Sequence, residues 1–398
     1  MSRFDFHLKI KERTIRSGSR PVHLRGVNLG GWLMMEGYFL HAPNIAVQVF
    51  ERNFKRIHGA RGLGEFQKAF RDHFIRPDDL EKVAAVGLNC IRLPFHYKLV
   101  EPVSKAKEPP GIRYLDRVIR CARRCGLWVI LDLHAAPGCQ NHDWHSDSTG
   151  RAGLWTSRVY QRRTCRIWEF LADRYKDEKA VAGYDLLNEP VTQDHQALAK
   201  MMRELIRVIR RVDSRHILFV EGNHWARDCN ILDHIRDDNA AFSIHMYDPI
   251  EFTFNFNQRM RYPGQCGIGK SVLRNMIKGY ERISRKNDIP VLVGEFGVNY
   301  RFNQRGECQW VADMIGWFND AGFHWTYWTY KAVKNSVFPD GLFSYYPNPA
   351  WVCRQGPLTG WDHYAACWPR HKHLMWRSWL TRNFSENTVL TQVLRKTL

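Results

Sequence analysis

No stretch of 18 apolar residues occurs in the 398-residue chain. A hydrocarbon-spanning helix needs about that many, so no membrane span is expected. The opening MSRFDFHLKIKERTIR lacks the apolar segment of a secretory leader. Ten cysteines are present, yet none stands in a CxxC pair, and Cys121 and Cys125 have the spacing of one helix face rather than of a zinc knuckle. Free thiols in a reducing cytoplasm are the simplest expectation, with secretion as the alternative had a leader been removed. No G-x-G-x-x-G follows the first apolar run, which lowers the nucleotide-binding version of an open α/β sheet. Internal repeats, low-complexity tracts and linkers are also missing. One domain spanning 1–398 is expected, with an N-terminal hairpin (1–23) and a closing loop and helix (350–398).

What the chain has in excess is positive charge: 59 Lys and Arg against 40 Asp and Glu, a net +19. An anionic glycan or lipid surface would suit that balance. The cations are scattered, however, as in Arg120, Arg123 and Arg124, and in ELIRVIRRV at 204–212. That pattern is the polar side of helices, and no nucleic-acid-binding motif accompanies it, so no nucleic-acid partner is expected. Fifteen tryptophans serve either as core filling or as platforms for ligands. The Met pairs at 34–35 and 201–202 read as core.

Short apolar runs recur along the chain: 24–30, 90–95, 128–134, 183–190, 216–222, 242–247, 291–297 and 324–330. Helical spacing fills the intervals, as in LDRVIRCARRCG and HQALAKMMRELIRVIRRVD. Eight alternating β and α units predict a (β/α)8 barrel, preceded by a hairpin that turns at Gly18. A doubly wound open sheet is the alternative.

In such a barrel the active site lies at the C-terminal ends of the strands, and here those ends are polar. They carry Arg92, Asp132 and His134, Asn188 and Glu189, His245 and Tyr247, Glu295, and Trp328. Glu189 closes the fourth run in LLNEP, and Glu295 closes the seventh in VLVGEFG. A carboxyl pair of this kind is what glycoside hydrolysis uses, one as acid and one as nucleophile or base.

RGVNLGGWL (25–33), IRLPF (91–95), LDLHAAPGCQN (131–141), LLNEP (186–190), HMY (245–247) and GEFG (294–297) together resemble glycoside hydrolase family 5, in the clan of retaining (β/α)8 hydrolases. RGVNLGGWLMMEGY and LDLHAAPGCQN further resemble its exo-β-1,3-glucanase branch. The resemblance implies that Glu189 is the acid/base and Glu295 the nucleophile. It also implies that Asn188 binds the sugar 2-hydroxyl, that Arg92 lies beneath the nucleophile, and that Tyr247 hydrogen-bonds it. Trp328 becomes the sugar platform, with His134 and His245 lining that subsite. Glu36 matches a carboxylate that grips terminal glucose hydroxyls. Asp147 matches a second one if two residues are inserted before it, with Asp143 as competitor.

The implied activity is a retaining O-glycosyl hydrolase acting on a β-glucan or β-glucoside, exo-β-1,3-glucosidase-like, with an oligo- or polysaccharide as substrate. Endo-β-1,4-glucanase or glycolipid-cleaving activity, transglycosylation and non-catalytic carbohydrate binding stay open as alternatives. The mechanism requires no metal or cofactor. His142, Asp143, His145 and Asp147 could form a metal cluster, but sugar-contacting or solvated roles are preferred. Lys331 reads equally as a sugar ligand or a solvated cation. Cys139 reads as packing, because no base accompanies it.

Overall fold

The structure, a computed structural model, describes residues 3–102, 108–264, 269–345 and 361–398. Three short strands come first, β1 (Leu8–Lys11), β2 (Thr14–Ser17) and β3 (Arg20–Pro21), forming one antiparallel sheet. The first turn is Glu12-Arg13, both at positive φ (50° and 58°), between the paired residues Lys11 and Thr14. That is the two-residue geometry whose twist suits a hairpin. Gly18 (φ 59°) makes the second turn rather than the first. The expected hairpin is therefore a three-stranded meander.

Eight parallel strands close into a barrel: β4 (Arg25–Asn28), β5 (Cys90–His96), β6 (Trp128–Ala135), β7 (Val181–Asp185), β8 (Ile217–Glu221), β9 (Ala240–His245), β10 (Val291–Phe296) and β11 (His324–Tyr327). Each of the eight apolar runs supplies one of them. Beyond the barrel, β12 (Lys331–Val333), β13 (Phe343–Tyr345) and β14 (Ser385–Glu386) form a small outer sheet. Among the described residues, no helix is long and apolar enough to cross a membrane.

The period of two in a strand sorts side chains between the barrel lumen and the helical shell. On β5, Ile91, Leu93 and Phe95 join the large cluster under the helices, while Cys90 and Arg92 face inward. Inside, polarity changes along the axis. Cys90, Trp128, Ile130, Ile217, Phe219, Ala241 and Leu292 form an apolar layer at the N-terminal end, closed from below by Leu8 and Ile15 of the small sheet. One pleat further along, on β5, β6, β7 and β8, stand Arg92, Asp132, Asp185 and Glu221, all fully buried. The N-terminal sheet is thus the floor of the barrel, and the polar end is the site.

The helix Trp361–Ser378 packs on the first long helix, Val47–His73, with Phe66 against Trp368 (ring centroids 5.1 Å apart) and Tyr364 (5.5 Å). It lies within the segment 350–398. The loop expected before it falls on 346–360, outside the described residues. Arg120, Arg123 and Arg124 are exposed, while Met34, Met35, Met201 and Met202 are buried.

Lys331 fits neither expectation. It is 1% exposed, donates to the carbonyls of Phe74 and Trp379 and to Thr381 Oγ1, and sits over the Phe74 ring at 4.3 Å. Burial pushes its amine down to about 8. It ties the outer sheet to the shell.

Because Ile15 plugs the end of the barrel opposite the polar layer, Ile15→Ala is expected to cost about 2–4 kcal/mol of stability, as a buried truncation does. Urea denaturation should show the lowered midpoint.

Candidate active site

Arg92 is the hub. Its Nε donates to Asp185 Oδ2 (2.8 Å), Nη1 to Glu295 Oε1 (2.8 Å) and Asn28 Oδ1 (3.1 Å), and Nη2 to Asn188 Oδ1 (2.8 Å) and Glu221 Oε1 (3.1 Å). Asp132 Oδ2 lies 3.2 Å from Nη2. The planar fork reaches residues on or just beyond β4, β6, β7, β8 and β10 at once, which an ammonium could not do. Burial works against the charge, but the surrounding carboxylates more than offset it and push Arg92 well above its ordinary value. Burial also pushes Asp132 up to about 8 and Asp185 well above the carboxylate range, against the opposing pull of Arg92 on both.

Glu295 sits in β10, and the residue before it must be small. A Cβ at Gly294 would lie 2.8 Å from Ser243 Oγ and 3.1 Å from His245 Nε2. Besides Arg92, Tyr247 donates its hydroxyl proton to Glu295 Oε2 at 2.9 Å. Both partners are donors, the arrangement that orients a carboxylate nucleophile.

Asn188 and Glu189 lie beyond β7, not on it, unlike the reading of 183–190 as one strand. The backbone N–H groups of Leu186 and Asn188 still bond Phe219 O and Leu133 O (both 3.1 Å), extending the ladder. At Glu189 the chain turns to φ 48°, a conformation that side chains rarely adopt, and its N–H donates to Glu221 Oε2 at 2.6 Å. Both carboxylate oxygens of Glu189 meet imidazoles: Oε1 lies 2.7 Å from His245 Nδ1, and Oε2 lies 2.9 Å from His145 Nε2. Burial alone would raise the Glu189 carboxyl. The two hydrogen bonds outweigh it and hold the group well below the usual range. His245 is pushed well above its ordinary value against the cost of burial, because Glu221, Glu295 and Glu189 surround it.

The remaining side chains face the same cavity, about 420 Å³ in volume and lined by Glu36, His134, Glu189, His245, Tyr247, Glu295 and Trp328. His134 stacks on Trp328 (ring centroids 5.6 Å apart, planes at 11°) and bonds Asp132 Oδ2 through Nδ1 at 2.7 Å. Burial pushes His134 down to about 3, so it is a neutral ring at working pH. Glu36 lies 4.0 Å from His134 Nε2, and burial with Glu295 and Glu189 nearby pushes it well up. Glu36 Oε1 and Asn188 Nδ2 have no hydrogen-bond partner among the described residues. Two buried polar atoms left open beside a cavity suit the hydroxyls of a ligand.

Seven of the ten expected site residues therefore line the cavity, and Arg92 and Asn188 lie just beneath it. Asp147 corrects the expectation. It does not line the cavity, because its oxygens accept from Gln48 N (2.7 Å) and meet His96 Nε2 (2.9 Å) and Lys98 Nζ (3.3 Å). It staples its loop to the neighbouring helix and strand. Its competitor Asp143 does line the cavity and accepts from Trp225 Nε1 at 2.8 Å.

Sequence reasoning missed Glu221 and the contact of His145 with Glu189. Glu221 was open to discovery, since HILFVEG ends in a carboxylate just as the fourth and seventh runs do. His145 was noticed only as part of a His-rich loop. Of the residues weighed as a metal cluster there, His145 pairs with Glu189, Asp143 with Trp225 and Asp147 with Gln48 and His96. Among the described residues, the group with ligand-like spacing is Glu189, His245 and Glu295, the site itself. Cys139 is half-buried and pushed up to about 11 by burial, so it is not a thiolate. A larger surface groove, about 1080 Å³, lies between the helices Arg158–Tyr175 and His195–Arg210. It gathers Arg158, Arg162, Arg166 and Lys200 and none of the expected site residues.

The profile of the family described as Cellulase (glycosyl hydrolase family 5) matches residues 57–334. A β-xylosidase of Phanerodontia chrysosporium is 31% identical over 349 residues, covering 82% of this chain and 71% of that protein. A probable glucan 1,3-β-glucosidase A of Aspergillus clavatus is 28% identical over 287 residues, covering 69% of this chain and 64% of that protein. In fold, the crystal structure of an endoglucanase from Thermotoga maritima is similar with a TM-score of 0.62 at 19% identity, covering 93% of this chain and 96% of that one.

If Arg92 is the common anchor, Arg92→Met should lower stability by about 3–5 kcal/mol, because it leaves buried carboxylates without their cation. Chemical denaturation measures this. Arg92→Lys should keep part of the stability yet lose at least about 100-fold in kcat/KM, since one ammonium cannot orient Glu295 and Asn188 together.

Proposed function

The chain belongs to glycosyl hydrolase family 5, and from that premise we propose that it cleaves β-glucosidic bonds by double displacement, with Glu295 as nucleophile and Glu189 as acid/base. The observation that carries this reading is the spacing of the two carboxylates. Ligand-capable oxygens of Glu189 and Glu295, together with a nitrogen of His245, lie within 4.8 Å of one another. Retaining enzymes keep their carboxyl groups about 5–5.5 Å apart, whereas inverting ones leave about 6.5–9.5 Å for a water.

In the first step Glu295 attacks the anomeric carbon. The bond to the leaving oxygen breaks as that oxygen takes a proton from Glu189. A water then attacks the glycosyl ester from the side vacated by the leaving group, returns a proton to Glu189, and frees Glu295. Asn188 Nδ2, which has no hydrogen-bond partner among the described residues, is the donor we assign to the sugar 2-hydroxyl, whose hydrogen bond strengthens in the transition state. Trp328 and His134 offer the stacking face, and Glu36 the acceptor for distal hydroxyls.

The substrate we place first is a β-1,3-glucan or related β-glucoside cleaved from its end. RGVNLGGWLMMEGY and the similarity to a glucan 1,3-β-glucosidase support it. A cavity of about 420 Å³ is the size of a small-molecule pocket, which favours short occupancy over a long cleft.

Glu295→Gln should lower kcat on an aryl β-glucoside by at least about 10⁴-fold, since the nucleophile is lost. Proton NMR during wild-type turnover should show the β-anomer as the first product. An α-anomer first would overturn the retaining assignment. A panel of β-linked disaccharides then ranks the linkages.

A further inference from the structure

A carboxyl group held well below its usual range is a poor proton donor, and Glu189 is held that way by two imidazoles. They differ in their surroundings. His245 lies between carboxylates, with Nδ1 on Glu189 Oε1 (2.7 Å) and Nε2 on Glu221 Oε1 (3.2 Å), and Glu295 Oε2 at 3.6 Å from Nδ1. So enclosed, it keeps its proton. His145 makes a single ion pair, from Nε2 to Glu189 Oε2 at 2.9 Å. The same nitrogen lies 3.0 Å from Asn141 Nδ2, whose amide also donates to Glu189 O at 2.9 Å. Nε2 therefore has a partner in either state. With its proton it donates to Glu189, and without it it accepts from Asn141.

Taking the acid/base role of Glu189 as given, we propose that His145 is the positioning residue that stores the proton Glu189 delivers to the leaving oxygen and takes back from the incoming water. In the first half-reaction the anomeric carbon–oxygen bond breaks, the bond to Glu295 forms, and the proton passes from His145 Nε2 through Glu189 to the departing oxygen. In the second, water replaces Glu295 at the anomeric carbon and its proton returns by the same route. Atoms and charge balance over the cycle, and no other reactant is needed.

The loop is built to hold this ring. Ser146 Oγ donates to Asn141 O (3.0 Å) and Asp143 O (2.9 Å), Asp143 N donates to Asn141 Oδ1 (2.9 Å), and Asp147 staples the loop to Gln48 and His96. Trp144 meets the His145 ring edge-on with centroids 5.4 Å apart. The titratable groups facing His145 are Asp143 on its own loop, Glu189 beyond β7, Glu295 on β10 and His134 on β6, whose ring lies 6.3 Å away. Burial lowers the proton affinity of His145, but Glu189, Asp143 and Glu295 raise it above its ordinary value. The sign follows. The wild-type site keeps its mobile proton until the raised His145 titrates. In His145→Ala the proton must stay on Glu189, which His245 still favours as a carboxylate, so it is lost at lower pH.

The test compares leaving groups. On an alkyl β-glucoside, whose departing oxygen needs a proton, His145→Ala should lose at least about 30-fold in kcat/KM, within the range general acid catalysis supplies. On the 2,4-dinitrophenyl β-glucoside, which needs none, the loss should stay under about threefold. The basic limb of kcat/KM on the alkyl glucoside should move to lower pH by about one unit, and added imidazole should restore rate on that substrate alone. Equal losses on both substrates with an unmoved limb would reduce His145 to loop packing and overturn the proposal. Glu189→Ala is run beside it. If it shows no leaving-group split, the acid assignment itself fails. A split there with none in His145→Ala overturns only the proton store. Should His145→Ala fail to fold, His145→Gln fills the same space without a titrating group, and the same split and limb shift decide.

Discussion

Everything in the site hangs on one buried guanidinium. Arg92 is 0% exposed, and its donors span residues at the ends of five of the eight barrel strands. A buried cation is costly unless paired, and buried carboxylates are costly unless neutralised or protonated. Here the two problems solve each other. Arg92 orients Glu295 and Asn188, while Asp132 and Asp185, their proton affinity raised by burial and lowered by Arg92, pair with the same guanidinium. The barrel supplies the low-polarity setting that makes these contacts strong, and its apolar floor keeps water from entering at the other end.

A second layer of organisation sits above that floor. Glu221 joins Arg92 to the Glu189 turn, since one oxygen takes the guanidinium and the other takes the backbone N–H of Glu189. His245 repeats the link on the cavity side, standing between Glu189, Glu221 and Glu295. Glu189 and Glu295 are thus parts of one hydrogen-bonded unit, and the state of one is felt by the other. Asp147 works at a distance, fixing the loop from which His145 reaches Glu189.

The positive charge of the chain lies elsewhere. Exposed arginines pair along helices, as Arg207 with Glu204 and Arg285 with Glu281, or line the surface groove that holds Arg158, Arg162 and Arg166. Exposed pairs of that sort contribute little to stability. Their effect is on which surfaces and polymers the protein meets, while the chemistry is set inside the barrel.

The sequence by itself determined the eight strands, because a buried parallel strand must be a short apolar run and the intervening helices carry their own period. It determined which side of the sheet Arg92 faces, because Ile91 and Leu93 claim the other. The pair Glu189 and Glu295 was legible as acids closing the fourth and seventh apolar runs, in LLNEP and VLVGEFG. The tertiary structure alone decided what stands beside them. Asp143 and Asp147 are four residues apart in one polar loop, and local pattern treats them alike; the fold turns one to the cavity and the other to Gln48 and His96. Lys331 follows Trp328 closely, yet the chain's path buries it beneath the outer sheet. His145 meets Glu189 across 44 residues of chain, a contact that depends on loop geometry and not on any local period. Burial and neighbours set the proton affinity of each group, and both are properties of the folded chain.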